Sequence, residues 1–127
     1  MRRVTTLLPD DVAAADILRQ RPPTFREIME ACAAHYGVEM DHLLGGGSDR
    51  TTTTARNCAF WIGRRYTRHS CEEMARMVGR LTHHPCTTSL NKMAGRLQVE
   101  ERLRDDVDII ERRIAQTVLD WRFMACR

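Results

Sequence analysis

Apolar residues along this chain fall three and four positions apart, the spacing that lines one side of a helix. Phe25, Ile28, Met29, Cys32 and His35 form the first such stripe. Thr24 and Glu27 stand at its start as a capping box, in which each side chain takes up the other residue's free amide. Gly37 is placed to end that helix. Val38 and Met40 to Leu44 predict one short helical turn packed by its leucines. Ala55, Cys58, Ala59, Ile62 and Tyr66 then mark a long helix reaching Arg68, whose other face carries Arg56, Arg64 and Arg65. The threonines Thr51 to Thr54 before it are poor helix formers and good N-caps.

Ser70 and Glu73 make a second capping box. Met74, Met77 and Val78 supply a short apolar stripe, with Met74, Met77 and the later Met93 expected in the core, and Gly79 closes the helix after barely two turns. Pro85 suits the first position of a following helix. The inner face of that helix is Leu90, Met93, Ala94 and Leu97, with a continuation toward Leu103. Val107, Ile110, Ile114, Val118 and Trp121 predict a last amphipathic helix. No stretch alternates as a half-buried strand would, so the expected fold is all-α, a compact bundle of five or six helices. Pro22 and Pro23 stop any helix arriving from the N-terminal side. Residues 1–23 therefore read as a tail or short separate helix, and 24–127 as the domain.

Composition narrows the function. With 127 residues, 43% hydrophobic and 29% charged, the chain can build one core and is too apolar for wholesale disorder. Its longest apolar run, Cys58 to Ile62, is far too short for a membrane span. The first residues lack the pattern of a secretory signal, so the expected location is the cytoplasm. Five cysteines (Cys32, Cys58, Cys71, Cys86, Cys126) form no Cys-x-x-Cys pair, as befits reduced core thiols. His83, His84 and Cys86, with Cys71 nearby, lack the second spaced pair of a zinc site, and no cofactor is expected. His35 and His42 read as half-buried helix residues. No nucleophile-and-base set stands out, which argues against an enzyme.

Charge is unevenly spread. Residues 1–49 hold five Arg against eight acids, residues 50–96 eight Arg and one Lys against two acids, and residues 97–127 six Arg against seven acids. A basic middle between mildly acidic ends fits a nucleic-acid-binding face. On that same stretch lie a short capped helix, a Gly-containing turn and a second helix opened by polar residues, the order of a helix-turn-helix.

From Phe25 to Val118 the chain resembles the C-terminal DNA-binding domain of the bacterial replication initiator DnaA, as a diverged, stand-alone copy. The residues that carry the likeness are Ala34-His35-Tyr36-Gly37-Val38, Asp41-His42-Leu43-Leu44, Ala55-Arg56-Asn57, Thr67-Arg68-His69-Ser70, Glu73-Met74 and Val78-Gly79. Thr82-His83-His84-Pro85-Cys86 lies over the family's Asp-His-Thr-Thr-Val signature, and Asn91-Lys92-Met93 follows. Only His83 matches that signature, and the family's basic loop is here Gly45 to Arg50, with Arg50 alone able to enter a minor groove. No Gly-x-x-x-x-Gly-Lys-Ser/Thr motif occurs, so the family's ATP chemistry does not carry over.

The resemblance implies double-stranded DNA as partner, with no membrane and no nucleotide. Base contacts would come from Arg50, Arg56, Thr82, His83, His84 and Thr87. Asn57, Arg64, Arg68, His69, Ser70, Cys71, Thr88 and Lys92 would hold phosphates. The expected role is a transcriptional or replication regulator at the nucleoid. The alternative is a protein-interaction module that kept the fold and lost DNA. Trp121 and Phe123 near the end either pad the bundle or form a dimer or partner surface.

Overall fold

Seven helices run through the residues that the structure, a computed structural model, describes: 13–45, 49–79 and 84–125, with the side chains of 84–85 and 121–125 outside that description. They are α1 (Ala14–Gln20), α2 (Phe25–Tyr36), α3 (Met40–Leu44), α4 (Arg50–Tyr66), α5 (Cys71–Met77), α6 (His84–Val99) and α7 (Glu101–Ala125). The fold is all-α, with no strand among the described residues. No helix there is long and apolar enough to cross a membrane.

Both capping boxes form. The Thr24 hydroxyl accepts from the Glu27 amide at 3.1 Å while Glu27 Oε1 accepts from the Thr24 amide at 2.8 Å. Gly37 ends α2 in the left-handed region at φ 68°. At the start of α4 the cap is Asp49, not a threonine. Its carboxylate accepts from the Thr52 amide at 3.1 Å and the Thr52 hydroxyl at 2.8 Å, and Thr51 to Thr54 lie inside the helix. A carboxylate beside the positive end of a helix outcompetes a neutral hydroxyl for that position. The last helix begins earlier than its apolar stripe suggests. Glu100 breaks α6 from α7, its carboxylate accepting from Arg96 Nε and Nη2 at 2.8 and 3.0 Å, so Leu103 belongs to α7.

The centre of the molecule is α4, which packs most extensively on α2 and α6 and also meets α3, α5 and α7. Ala55, Cys58, Ala59, Phe60 and Ile62 are at most 1% exposed, and Phe60 stacks on Phe25 with ring centroids 6.4 Å apart. Each large side chain buried this way contributes roughly 1.5–3 kcal/mol. On α5 the inward positions are Met74, Ala75 and Val78. Met77, expected in the core, is instead 41% exposed, because two turns of helix present only one narrow side to α4 and α6. α1 docks on α7, and its Leu18 is fully buried.

Polar contacts fix α7 against the rest. Asp106 accepts from the Tyr36 hydroxyl and meets His35 Nε2, both at 3.0 Å. The buried Glu111 accepts from Arg65 at 3.0 Å. Burial, with the neighbouring Asp108, raises the Glu111 pKa against the opposing pull of Arg65.

Gly63 lies where α2, α4 and α5 approach closest: a Cβ there would stand 2.7 Å from the Met74 sulfur and 2.8 Å from the Phe25 ring. Gly63→Ala is expected to lower stability by about 1–3 kcal/mol from overpacking, despite the better helix propensity of alanine. Urea unfolding checks it, and a gain in stability would contradict this packing.

Candidate nucleic-acid interface

The candidate surface is built on α5 and α6. Ser70 caps α5 through its hydroxyl, which accepts from the Glu73 amide at 3.1 Å, while its own amide donates to Glu73 Oε1 at 2.8 Å. That amide contact, with His69 beside it, holds the Glu73 carboxyl below its usual range. After Val78 the chain turns at Gly79, φ 83°. A side chain there would be strained, and its Cβ would meet the Leu44 carbonyl oxygen at 2.6 Å. The turn is thus seated against the end of α3.

The register of α6 follows from its buried residues. Cys86, Ser89 and Met93 face inward, which leaves Thr87, Asn91 and Lys92 exposed and Thr88 half-buried along the outer side. From 84 to 99 the helix contains no acid. The Ser89 hydroxyl donates to the Asn57 side-chain oxygen, which ties α6 to α4. Arg50, Asn57 and Arg64 recur every seventh position of α4 and so lie on nearly the same side, drifting only about 20° per step.

Three chain segments meet at one end. Burial pushes the Cys86 thiol up to about 12, with a further rise from its hydrogen bond to Cys71 and a small opposing pull from Arg64. The start of α5, the start of α6 and the end of α4 are therefore neighbours. Arg64 and Arg68 are exposed there, without an acidic partner among the described residues. His69 stands 3.7 Å from Glu73 and edge-on to Phe25.

Other expected contacts are placed differently. Arg50, the first residue of α4, lies near Glu100 at the opposite end of that helix, about 21 Å from Arg64 along the axis. Arg56, read as part of the polar face and as a base reader, is only 5% exposed. Its Nε donates to the Leu43 carbonyl and its Nη2 to the His42 carbonyl, both at 3.1 Å. These carbonyls end α3 without intrahelical partners, and a guanidinium satisfies them with charge-assisted bonds. Arg56 as placed anchors α3 from the interior. The Ser70 amide is likewise engaged within its capping box. His42, expected half-buried, is exposed. Thr82 and His83 lie outside the described residues, as do the side chains of His84, Trp121 and Phe123.

Ser89, which the sequence reading passed over, carried a legible signal: a hydroxyl at an inward register position needs a partner, and Asn57 is it. Asn91 joins the exposed row of α6 beside Lys92.

Comparison with known proteins gives a consistent result. The family described as bacterial dnaA protein helix-turn-helix matches residues 25–92. The chain is 28% identical over 113 residues to the chromosomal replication initiator protein DnaA of Cereibacter sphaeroides, covering 87% of this chain and 25% of that protein. Against the protein of the same name from Roseiflexus castenholzii it is 28% identical over 104 residues, 82% of this chain and 22% of the relative. The chain thus spans about a quarter of the length of the curated relatives it matches.

Removing Arg56 should unseat α3 and leave two carbonyls unsatisfied, so Arg56→Ala is expected to cost about 3 kcal/mol in urea unfolding. An unchanged midpoint would refute the anchoring role. A second outcome concerns acid. Because the folded pKa of Glu73 is depressed, its cap is intact above the unfolded value near 4.3 and is lost as pH falls through the folded value. Protection factors from hydrogen exchange at the first turn of α5 should fall below about pH 4 in the natural protein. In Glu73→Gln that pH dependence should be absent.

Proposed function

The chain belongs to the bacterial DnaA helix-turn-helix family, and from that premise we propose that it binds double-stranded DNA sequence-specifically, with α6 in the major groove. The observation that carries this reading is the outer side of α6. Thr87, Thr88, Asn91 and Lys92 are small or flexible donors and acceptors on a helix free of acids, braced by α5 through the Gly79 turn. Such side chains reach base edges and phosphates, and no carboxylate repels the backbone.

Thr82, His83 and His84 precede and open that helix and are proposed to read bases with Thr87. Arg64, Arg68, His69, Lys92, Thr88 and the start of α5 at Cys71 are proposed to hold phosphates on either side. Asn57, tied to Ser89, is proposed to set the spacing between α4 and α6 as well as to touch the backbone. Arg50 would reach DNA only at the far end of the surface, where the family's basic loop stands. We propose residues 24–127 as the binding unit and regulation of replication or transcription near the nucleoid as its role. The relatives are named for replication initiation, which favours the former. The activity proposed is binding without catalysis.

In gel shifts with duplexes enriched by in vitro selection, affinity should fall steeply with salt. Lys92→Ala should reduce the slope of log K against log[salt] by about 0.9, one phosphate contact, while leaving sequence preference intact. Thr87→Val should instead shift the preferred sequence. Absence of DNA binding at low salt by the folded natural protein would overturn the reading in favour of a protein-interaction module.

A further inference from the structure

A cleft of about 610 Å³ opens beside the helix-turn-helix, between the end of α1 with the segment after it and the end of α4. Its lining includes Arg19, Arg65, Arg68 and His69 and contains no carboxylate. Arg68 and His69 directly precede Ser70, so the cleft is continuous with the proposed phosphate-holding start of α5. Resting on the DNA-binding reading above, we propose that this cleft holds a backbone phosphate of duplex DNA flanking the sequence read by α6, and that α1 is part of the DNA-binding surface.

The guanidinium groups differ in how they are held, and the difference suits that task. Arg65 is fixed: it donates to Glu111 at 3.0 Å and lies over the Tyr66 ring at 5.2 Å, while its side chain stays 43% exposed toward the cleft. A guanidinium has five N–H donors in a planar fork, so one bond to Glu111 leaves others to present to an anion. Arg19 meets only Asp16, at 3.5 Å, with both side chains mostly exposed. A pair so open to solvent contributes little and exchanges readily for a phosphate. Arg68 has no acidic partner among the described residues. The cleft therefore joins one preorganised cation to two that can adjust, with the carboxylates of Asp16, Glu73 and Glu111 paired to its cations from outside the lining.

Its position decides between sources of phosphate. A site for a free phosphorylated molecule need not share residues with the DNA-binding surface. This one shares Arg68 and His69 with the proposed DNA surface, and the buried Leu18 holds α1 in register with it. A duplex whose groove is filled by α6 carries its backbone past the adjoining protein surface on either side, where phosphates are met without regard to sequence.

The test compares two duplexes carrying the selected sequence, one trimmed to the bases it requires and one extended by about ten base pairs on each side, roughly a helical turn. Fluorescence anisotropy over a salt series is run with the natural protein and Arg19→Gln. The natural protein should bind the extended duplex more tightly and with a steeper salt slope. Arg19→Gln should lose about 0.9 of that slope, or about threefold less change in affinity between 50 and 200 mM salt, on the extended duplex only. Millimolar inorganic phosphate or ATP should not abolish the difference beyond its effect on ionic strength. Equal affinities for both duplexes, or an Arg19→Gln effect that persists on the trimmed one, would overturn the proposal while leaving the DNA reading standing. Competition by ATP at constant ionic strength would assign the cleft to a free ligand instead. Failure of the natural protein to bind either duplex would remove the DNA reading itself.

Discussion

The absence of a side chain at Gly63 is the constraint on which the arrangement depends. It lets the Phe25 ring and the Met74 thioether close onto the backbone of α4 within van der Waals reach, so three helices share one tight contact. Because protein interiors are packed to near crystalline density, α5 cannot shift without opening a void beside Phe25. The position of α5 then sets α6, through the Gly79 turn pressed on the Leu44 carbonyl and through the Cys71–Cys86 contact. A packing choice in the core thus decides which residues of α6 face solvent.

Arginine does two distinct jobs in this molecule, and the partners each one meets sort them. Arg56, Arg65 and Arg96 are engaged internally, on the carbonyls ending α3, on Glu111 and on Glu100. These bonds satisfy groups that would otherwise be costly to bury or would leave a helix end open. Arg64, Arg68 and Lys92 carry their charge to the surface. A bare count of basic residues along the middle of the chain merges the two sets.

The acidic side chains show the same division. Asp49 and Glu73 are held below their usual pKa by helix-start amides and hydroxyls, and they stabilise α4 and α5. The Asp49 cap also defines where the family's basic loop must end in this chain. A carboxylate placed there favours the helix at the expense of local positive charge.

The sequence by itself determined most of the helices, the two capping boxes and the helix-turn-helix order, because these rest on local rules: three-and-four spacing, a hydroxyl before an amide, a glycine after a last turn. Thr24 with Glu27, Ser70 with Glu73, and Gly37 and Gly79 were legible for that reason. The family likeness was equally legible, carried by short segments in fixed order. What tertiary structure alone decided was the fate of the arginines. Arg56 and Arg64 stand two helical turns apart with the same chemistry, yet one enters the interior and the other meets solvent. The difference is that α3 folds back to offer unpaired carbonyls beside the first, a partnership between positions thirteen residues apart that no periodicity records. Met77 and the cleft under α1 followed the same logic, since exposure depends on which neighbours arrive from elsewhere in the chain.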